Sequence, residues 1–331
     1  MQYAKFSRTG LTVSRLCLGT ATFGKQTEES VSHEILDRAA DAGINFIDTA
    51  DFYPMGAEEN LLGRSEEITG RWLKGKRHRF MIATKGGGKM GSLSWEQGSS
   101  RKHLLDAIDA SLTRLGTEYV DLYQLHFDDP ETPLEETLEA LDTIVRAGKA
   151  RYIGVSNFLA YRLALAIGRS EAMGVARFVS AQPRYNLLFR EIERELLPLA
   201  AEENLAIIPF NPLAGGLLSG KHRHDKAPDE GRFTSTVGWA GALYQARYWH
   251  KREFETIEKL RDVAKRHDVR LATLSVAWVL ANPTITSVIL GASRLDQLTD
   301  TLAAGDLTMD SQTKAELDDM TIEYRRGDAG R

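Results

Sequence analysis

Four polar residues of different chemistry each sit at or just past the downstream end of a short apolar run. Asp48 closes INFID (44–48), Tyr53 follows five residues later, Lys85 closes FMIATK (80–85) and His126 closes VDLYQLH (120–126). An acid, a phenol, an amine and an imidazole are the parts of a proton-donating site. A buried ammonium needs a carboxylate partner, and Asp48 can serve Lys85 in that way. A cation beside a phenol stabilises phenolate, so Lys85 is expected to lower the Tyr53 pKa from its usual value of about 10. A Tyr tuned like this can protonate an oxygen near neutral pH, and His126 can orient that oxygen by hydrogen bonding. The set holds no nucleophile–base pair and no metal-type cluster. It suits delivery of a proton to a carbonyl while a hydride arrives from a cofactor. Taken singly, each residue has a bland reading: a rim Tyr, a structural ion pair, a satisfied core His. Four suitable types at corresponding places strengthen the joint reading beyond any one of them.

The four converge only if the apolar runs are neighbouring strands of one parallel sheet. Eight such runs recur: 15–19, 44–48, 80–84, 119–125, 152–156, 178–182, 205–210 and 287–291. They are nearly continuous in hydrophobicity, as strands buried on both faces should be. Helical patterns lie between them. Residues 101–115 place Leu104, Ile108, Leu112 and Leu115 on one face, and 134–148 place Leu134, Leu138, Leu141 and Val145 on another, with Gly148 as a stop. Further amphipathic helices are expected over 252–267 and 311–321. Alternating strands and helices argue for parallel βαβ units. Eight of them argue for a closed (β/α)8 TIM barrel, with an open doubly wound sheet as the alternative. The first strand is followed by GTATFG rather than GxGxxG, which disfavours the open dinucleotide-binding sheet. Ahead of the barrel, AKF–SRTG–LTV reads as an N-terminal β-hairpin that could cap the barrel bottom. The stretch 211–250, after strand seven, reads as a long irregular loop on the catalytic face.

The 331 residues are 42% hydrophobic and 27% charged, a composition able to bury a large core in one domain over 1–331. Net charge is −4, which points to neither nucleic acid nor an anionic membrane. No apolar run reaches the roughly 18 residues of a membrane span, and MQYAKFSRTG lacks a secretory apolar stretch. The single cysteine, Cys17, excludes an intrachain disulfide and fits a reducing compartment, so a cytoplasmic location is expected.

With these residues in place, the chain resembles the aldo-keto reductase family over almost its whole length. The resemblance is carried by GTATFG (19–24), GINFIDTADFY (43–53), ATKGG (83–87), VDLYQLH (120–126), GKARYIGVSNF (148–158), QPRYNLL (182–188), PFNPLAGGLLSGK (209–221) and GASRLDQL (291–298). It is nearer the bacterial and potassium-channel-β-subunit-like branch than the aldose reductase branch. It implies NADPH-dependent carbonyl reduction, with NAD the less favoured cofactor and no metal. Tyr53 would be the general acid, tuned by Lys85 and Asp48, with His126 positioning the carbonyl. Ser156, Asn157 and Gln182 match groups that hold the nicotinamide carboxamide, and Phe210 matches the aromatic stacked on the ring. Leu213, Gly215, Leu217, Ser219 and Lys221 match the loop folded over the pyrophosphate. Gly19, Thr20, Asn211, Pro212, Arg232 and Gly291 join the implied cofactor contacts. Ser293 and Arg294 match the site of a 2′-phosphate, which the planar Arg fork suits. Gln297 matches an adenosine contact. Where the family commonly has Glu-Asn, this chain has Asp300 and Thr301, which puts the adenine contacts in doubt.

GGLLSGK (215–221) also satisfies GxxxxGK of a phosphate-binding P-loop, but His222 stands where Ser or Thr would hold magnesium. Glycines and a lysine around a cofactor pyrophosphate explain the motif better. His222 and His224 form an HxH pair with no third ligand. Substrate choice is expected from Phe23, Phe127, Trp239, the 86–95 loop and the remaining aromatics of 222–250. Those aromatics either line a pocket or pack a lid. A bulky xenobiotic ketone or a keto sugar fits equally. A competing expectation is a cofactor-bound redox-sensing module with little turnover.

Overall fold

The computed structural model describes residues 1–226, 228 and 231–325. Of the domain read over 1–331, residues 227, 229–230 and 326–331 lie outside the described residues. Two short strands, β1 (Tyr3–Lys5) and β2 (Thr12–Ser14), form an antiparallel hairpin. Eight parallel strands follow: β3 (Leu16–Gly19), β4 (Phe46–Asp48), β5 (Met81–Gly86), β6 (Val120–Leu125), β7 (Ala150–Ser156), β8 (Phe178–Gln182), β9 (Ala206–Ile207) and β10 (Val288–Gly291). All eight expected runs are strands. Neighbours pair in chain order from β3 to β9, and β10 returns to pair with β3. The ring closes where Thr286 N–H donates to the Ile207 carbonyl at 2.8 Å and Ile289 N–H to that of Pro209 at 2.9 Å. These bonds decide for the (β/α)8 barrel over an open sheet.

β9 is only two residues long, although the apolar run covers 205–210. Pro209 has no N–H for a ladder, so the regular pairing stops before it. The helices Arg101–Leu115, Leu134–Arg146, Lys251–Arg266 and Ser311–Met320 match the amphipathic patterns. Gly148 takes a φ of 74° just past the second of them, which suits its role as a stop. Leu271–Leu280 is a helix with no polar face. Nine of its ten residues are buried, so no 3.6-residue period marks it. The segment read as an irregular loop over 211–250 contains a further helix, Trp239–Tyr248.

Two apolar layers position everything else. One fills the space between barrel and helices. The other fills the barrel interior with Cys17, Phe46, Met81, Ala83, Leu122 and Ile289, joined by Phe6 and Val13 of the hairpin. Phe6 meets Phe46 edge-on at 5.8 Å, so the hairpin does plug the N-terminal end. Cys17 is a core residue there. Strand side chains alternate between faces. Phe46 and Asp48 therefore share a face, as do Ala83 and Lys85, and Leu122 and Gln124. The apolar member of each pair fills the floor, and the polar member two residues on sits above it, at the C-terminal mouth.

Outside the barrel, helix Arg64–Leu73 crosses the end of helix Arg101–Leu115 at Gly70. A Cβ on Gly70 would stand 2.6 Å from the Arg114 carbonyl oxygen and 2.7 Å from that of Leu115. Overpacking a close backbone approach costs about 1–3 kcal/mol. Gly70→Ala is expected to lower the thermal midpoint measurably while a Gly168→Ala control, where a Cβ meets nothing within 4 Å, does not. Equal midpoints in the two variants would contradict the close-packing argument.

Candidate active site

The mouth of the barrel brings the four sequence candidates together. Asp48 is the last residue of β4, Lys85 lies near the end of β5, and His126 directly follows β6. Lys85 is fully buried, and its Nζ donates to Asp48 Oδ2 at 2.6 Å and to the Thr49 carbonyl at 2.8 Å. The Lys85 ammonium lies 5.0 Å from the centre of the Tyr53 ring. The His126 ring meets Tyr53 edge-on with centroids 5.7 Å apart. Tyr53 thus stands between a buried cation and an imidazole, on the loop after β4.

Burial dominates the electrostatics. It would pull the Lys85 ammonium down, but Asp48 and the Tyr53 phenol outweigh it and hold Lys85 above the usual range. Burial pushes the Tyr53 phenol above its usual value, against the pull of Lys85. The sequence expectation of a lowered phenol is therefore corrected: desolvation exceeds the Coulombic pull, and Tyr53 stands protonated at neutral pH. Burial, with Lys85 adding to it, drives His126 well below the usual imidazole range, so its ring is neutral.

Asp48 Oδ1 also accepts from Gln182 Nε2 at 2.8 Å and from Gln124 Nε2 at 3.3 Å. Gln182 thereby turns its amide nitrogen inward, toward the ion pair. Ser156 Oγ donates to the backbone carbonyl of Gln182 at 2.9 Å, and Asn157 Nδ2 to the backbone carbonyl of His126 at 2.9 Å. These bonds lock the ends of β6, β7 and β8 in one register. Gln124 was missed by sequence reading, though the two-residue period from His126 marks it.

A cleft of about 580 Å³ runs from Tyr53 to Asp300. Asp48, His126 and Phe127 line it, with Gly19, Ser156, Asn157, Gln182, Phe210, Asn211, Pro212, Leu213, Gly215, Ser219, Lys221, Arg232, Trp239, Gly291, Ser293, Arg294, Gln297 and Asp300. Asn211 Oδ1 accepts from the Gly215 N–H at 2.5 Å and folds the chain back at the cleft edge. Gly215 has a φ of 73°, and a Cβ there would stand 2.5 Å from the Tyr244 ring, so only glycine lets the helix Trp239–Tyr248 close over the turn. At the far end Gln297 Oε1 accepts from Ser293 N–H at 2.8 Å, and Arg294 pairs with Asp296 at 3.2 Å. The length, the glycine turn and the cations along this arm fit an extended nicotinamide dinucleotide.

Three expected contacts lie elsewhere. Phe23 is fully buried in the core, and Ala21 and Thr22 face the cleft in its place. Thr20 is buried behind the wall, where its hydroxyl accepts from Ser65 Oγ at 2.8 Å. Leu217 turns into the core beneath the glycine turn. Each sits where the chain twists a residue away from the mouth, a choice that spacing alone does not reveal. Of the loop aromatics, Phe233, Tyr244 and Tyr248 are buried and pack the lid, while Trp239 is 55% exposed at the rim. Phe52, not singled out in the sequence, lies against the His126 ring at 4.6 Å, and Phe127 stacks on that ring at 4.7 Å. His222 packs edge-on to Phe233 and Trp249, and His224 to Phe254. Among the described residues no group of three or more His, Cys, Asp or Glu could hold a metal, and no helix is long and apolar enough to cross a membrane.

A barrel with this mouth defines the class of protein. Residues 15–322 match the family model described as "Aldo/keto reductase family", and the chain belongs to that family. It is 37% identical to the protein described as uncharacterized oxidoreductase YrpG of Bacillus subtilis (strain 168), over 97% of this chain and 96% of that protein. It is 33% identical to a probable voltage-gated potassium channel subunit beta of Arabidopsis thaliana, over 93% and 92% of the two chains. Protein tas of Escherichia coli (strain K12) is 32% identical over 96% and 97%. These relatives agree with the branch expected from the sequence, and the chain is a carbonyl-reducing oxidoreductase by family.

Asp51, on the loop that carries Tyr53, is fully buried. Its Oδ1 accepts from the Phe52 N–H at 2.7 Å, and its Oδ2 has no partner among the described residues. Burial, followed by the nearby Glu66 carboxylate, pushes its carboxyl up to about 7. A carboxyl raised above its unfolded value of about 3.9 holds a proton in the folded state that the unfolded chain releases. Its stabilising contribution is present at low pH and is lost as pH rises toward 7. Asp51→Asn, neutral throughout, is expected to gain urea stability relative to wild type between pH 5 and 8. A difference that is flat across that window would overturn the assignment.

Proposed function

We propose that the protein is an NADPH-dependent reductase of aldehydes or ketones, with Tyr53 as the general acid. The observation that carries this reading is the fully buried Lys85–Asp48 pair set beneath a half-buried, protonated Tyr53. Burying that pair is costly, and its position under the phenol gives it a chemical use. The bound nicotinamide would supply the hydride. His126, neutral and on the cleft wall, is placed to orient the carbonyl oxygen. Tyr53 releases its proton to that oxygen as negative charge grows there, and Lys85 stabilises the phenolate left behind. Desolvation keeps the proton on Tyr53 until the oxygen is basic enough to take it. Asp48 keeps Lys85 charged and, through Gln182, aligns the groups that would hold the carboxamide. One relative is described as an oxidoreductase and another as a channel subunit, so a regulatory reading stands beside turnover. The tetrad geometry favours turnover.

Lys221, Ser219 and the glycine turn would hold the pyrophosphate, with Arg294 and Ser293 at the 2′-phosphate. No nucleic-acid surface is expected, and the substrate is a small-molecule carbonyl, such as a bulky xenobiotic ketone or a keto sugar. We place the protein in the cytoplasm, as a single domain.

Positioned acids contribute roughly 10²–10⁴-fold to rate. Tyr53→Phe is expected to lower kcat for aldehyde reduction by about that range with bound cofactor retained. Activity near wild type would remove Tyr53 as the acid. A sensor would instead show one slow turnover without cofactor release in the wild-type protein. Charge-assisted hydrogen bonds contribute about 1.5–3 kcal/mol. Arg294→Ala should therefore weaken NADPH by about tenfold or more and leave NADH within about twofold. Equal losses for the two cofactors, measured by titration of protein fluorescence, would refute the phosphate contact.

A further inference from the structure

Five cations line the cleft: Lys221, Arg232, Arg247, Arg270 and Arg294. Four lie along the arm that would hold the cofactor's charged groups. Lys221 ends the glycine turn, Arg232 reaches Tyr244 Oη at 3.3 Å, Arg294 pairs with Asp296, and Arg270 precedes the helix whose Thr273 hydroxyl donates to the Asp300 carbonyl. Arg247 belongs to a different place. It sits near the end of the helix Trp239–Tyr248, which spans the mouth of the barrel. At the start of this helix, Gly238 touches Gly56 on the Tyr53 loop. At its other end, the Tyr248 hydroxyl accepts from Asn186 and Asn211, both at 3.0 Å. Arg247 is thus held over the Phe210 side of the cleft.

A second guanidinium, that of Arg184, lies 5.7 Å over the ring of Tyr248, the residue next to Arg247. Arg184 lies two residues past Gln182, bridges Phe210 through its backbone, and covers the Phe189 ring at 3.4 Å. Among the described residues, neither Arg184 nor Arg247 has an ion pair or a side-chain hydrogen bond. Burial, and after it Arg184, pull the Arg247 guanidinium below its usual value. Two half-buried like charges with no acid between them are unfavourable as they stand. A planar guanidinium fork over a cleft suits an oxyanion, which would relieve that repulsion.

Building on the reductase reading, we propose that the cleft selects carbonyl substrates that carry an anionic group, a carboxylate or phosphate, contacted by Arg247 with Arg184 behind it. Arg247 is then a specificity-determining residue, and Arg184 a positioning one that adds to the local field. The selection is independent of proton transfer at Tyr53.

The test compares 4-carboxybenzaldehyde with 4-methylbenzaldehyde, reduced by NADPH, in the wild-type protein and in Arg247→Met and Arg247→Lys. Loss of a charge-assisted contact is expected to cut kcat/KM for the carboxylate by about 10- to 100-fold in Arg247→Met. The loss for the methyl compound should be smaller by at least about tenfold, with Arg247→Lys between wild type and Met for the carboxylate. Wild type alone should prefer the carboxylate, and added salt should erode that preference. Equal losses on both aldehydes, no wild-type preference, or a raised KM for NADPH as the main effect of Arg247→Met would overturn the proposal. The last of these would assign Arg247 to a cofactor phosphate. Failure of the wild type to oxidise NADPH with either aldehyde would instead defeat the reductase reading on which the proposal rests.

Discussion

The Lys85–Asp48 ion pair is the interaction around which the mouth of the barrel is arranged. Both groups are almost without solvent contact, and a lone buried charge of either sign would cost several kcal/mol. Each is therefore satisfied twice or more. Lys85 donates to Asp48 and to the Thr49 carbonyl, and Asp48 accepts from Lys85, Gln182 and Gln124. Those bonds tie the ends of β4, β5, β6 and β8 to one centre. The barrel floor makes this possible, because Phe46, Ala83 and Leu122 exclude water from the layer beneath.

The same pair connects the two halves of the site. On one side it faces Tyr53, where the Lys85 ammonium opposes the desolvation of the phenol. On the other it fixes the Gln182 side chain, whose residue's backbone carbonyl accepts from Ser156 Oγ and the Asn157 N–H. Removal of one charge alone, which leaves the other buried and unpaired, should therefore disturb both proton donation and the nicotinamide-facing wall. The stacked His126 and Phe127, with Phe52 against the imidazole, complete the wall on the substrate side and leave His126 neutral.

Much of this was legible in the sequence because polar residues in buried strands are rare and follow the two-residue period. Asp48, Lys85 and His126 stand out against apolar neighbours, and period two would have added Gln124. The eight strands were legible for the same reason. What was hidden depended on long-range packing. The helix Leu271–Leu280 is buried all round and shows no period. Helix Trp239–Tyr248 lies in a stretch rich in glycine and charge, and it is held by Tyr244 on Gly215 and by Gly238 on Gly56. Phe23 and Thr20 follow β3 in a motif that faces the mouth, yet local twist turns both inward. The direction of the Tyr53 shift was misjudged because a sequence names the neighbouring cation but not the depth of burial.

The central claim is that the buried pair serves proton transfer rather than stability alone. The direct measurement is single-turnover reduction of an aldehyde by the cofactor-loaded double variant Lys85→Met, Asp48→Asn, which leaves no buried charge unpaired. The single-turnover rate is expected to fall by about a hundredfold or more, within the range a tuned acid contributes, while the fold and cofactor binding are retained. A folded, cofactor-bound double variant that turns over within about threefold of wild type, against that range, would contradict it.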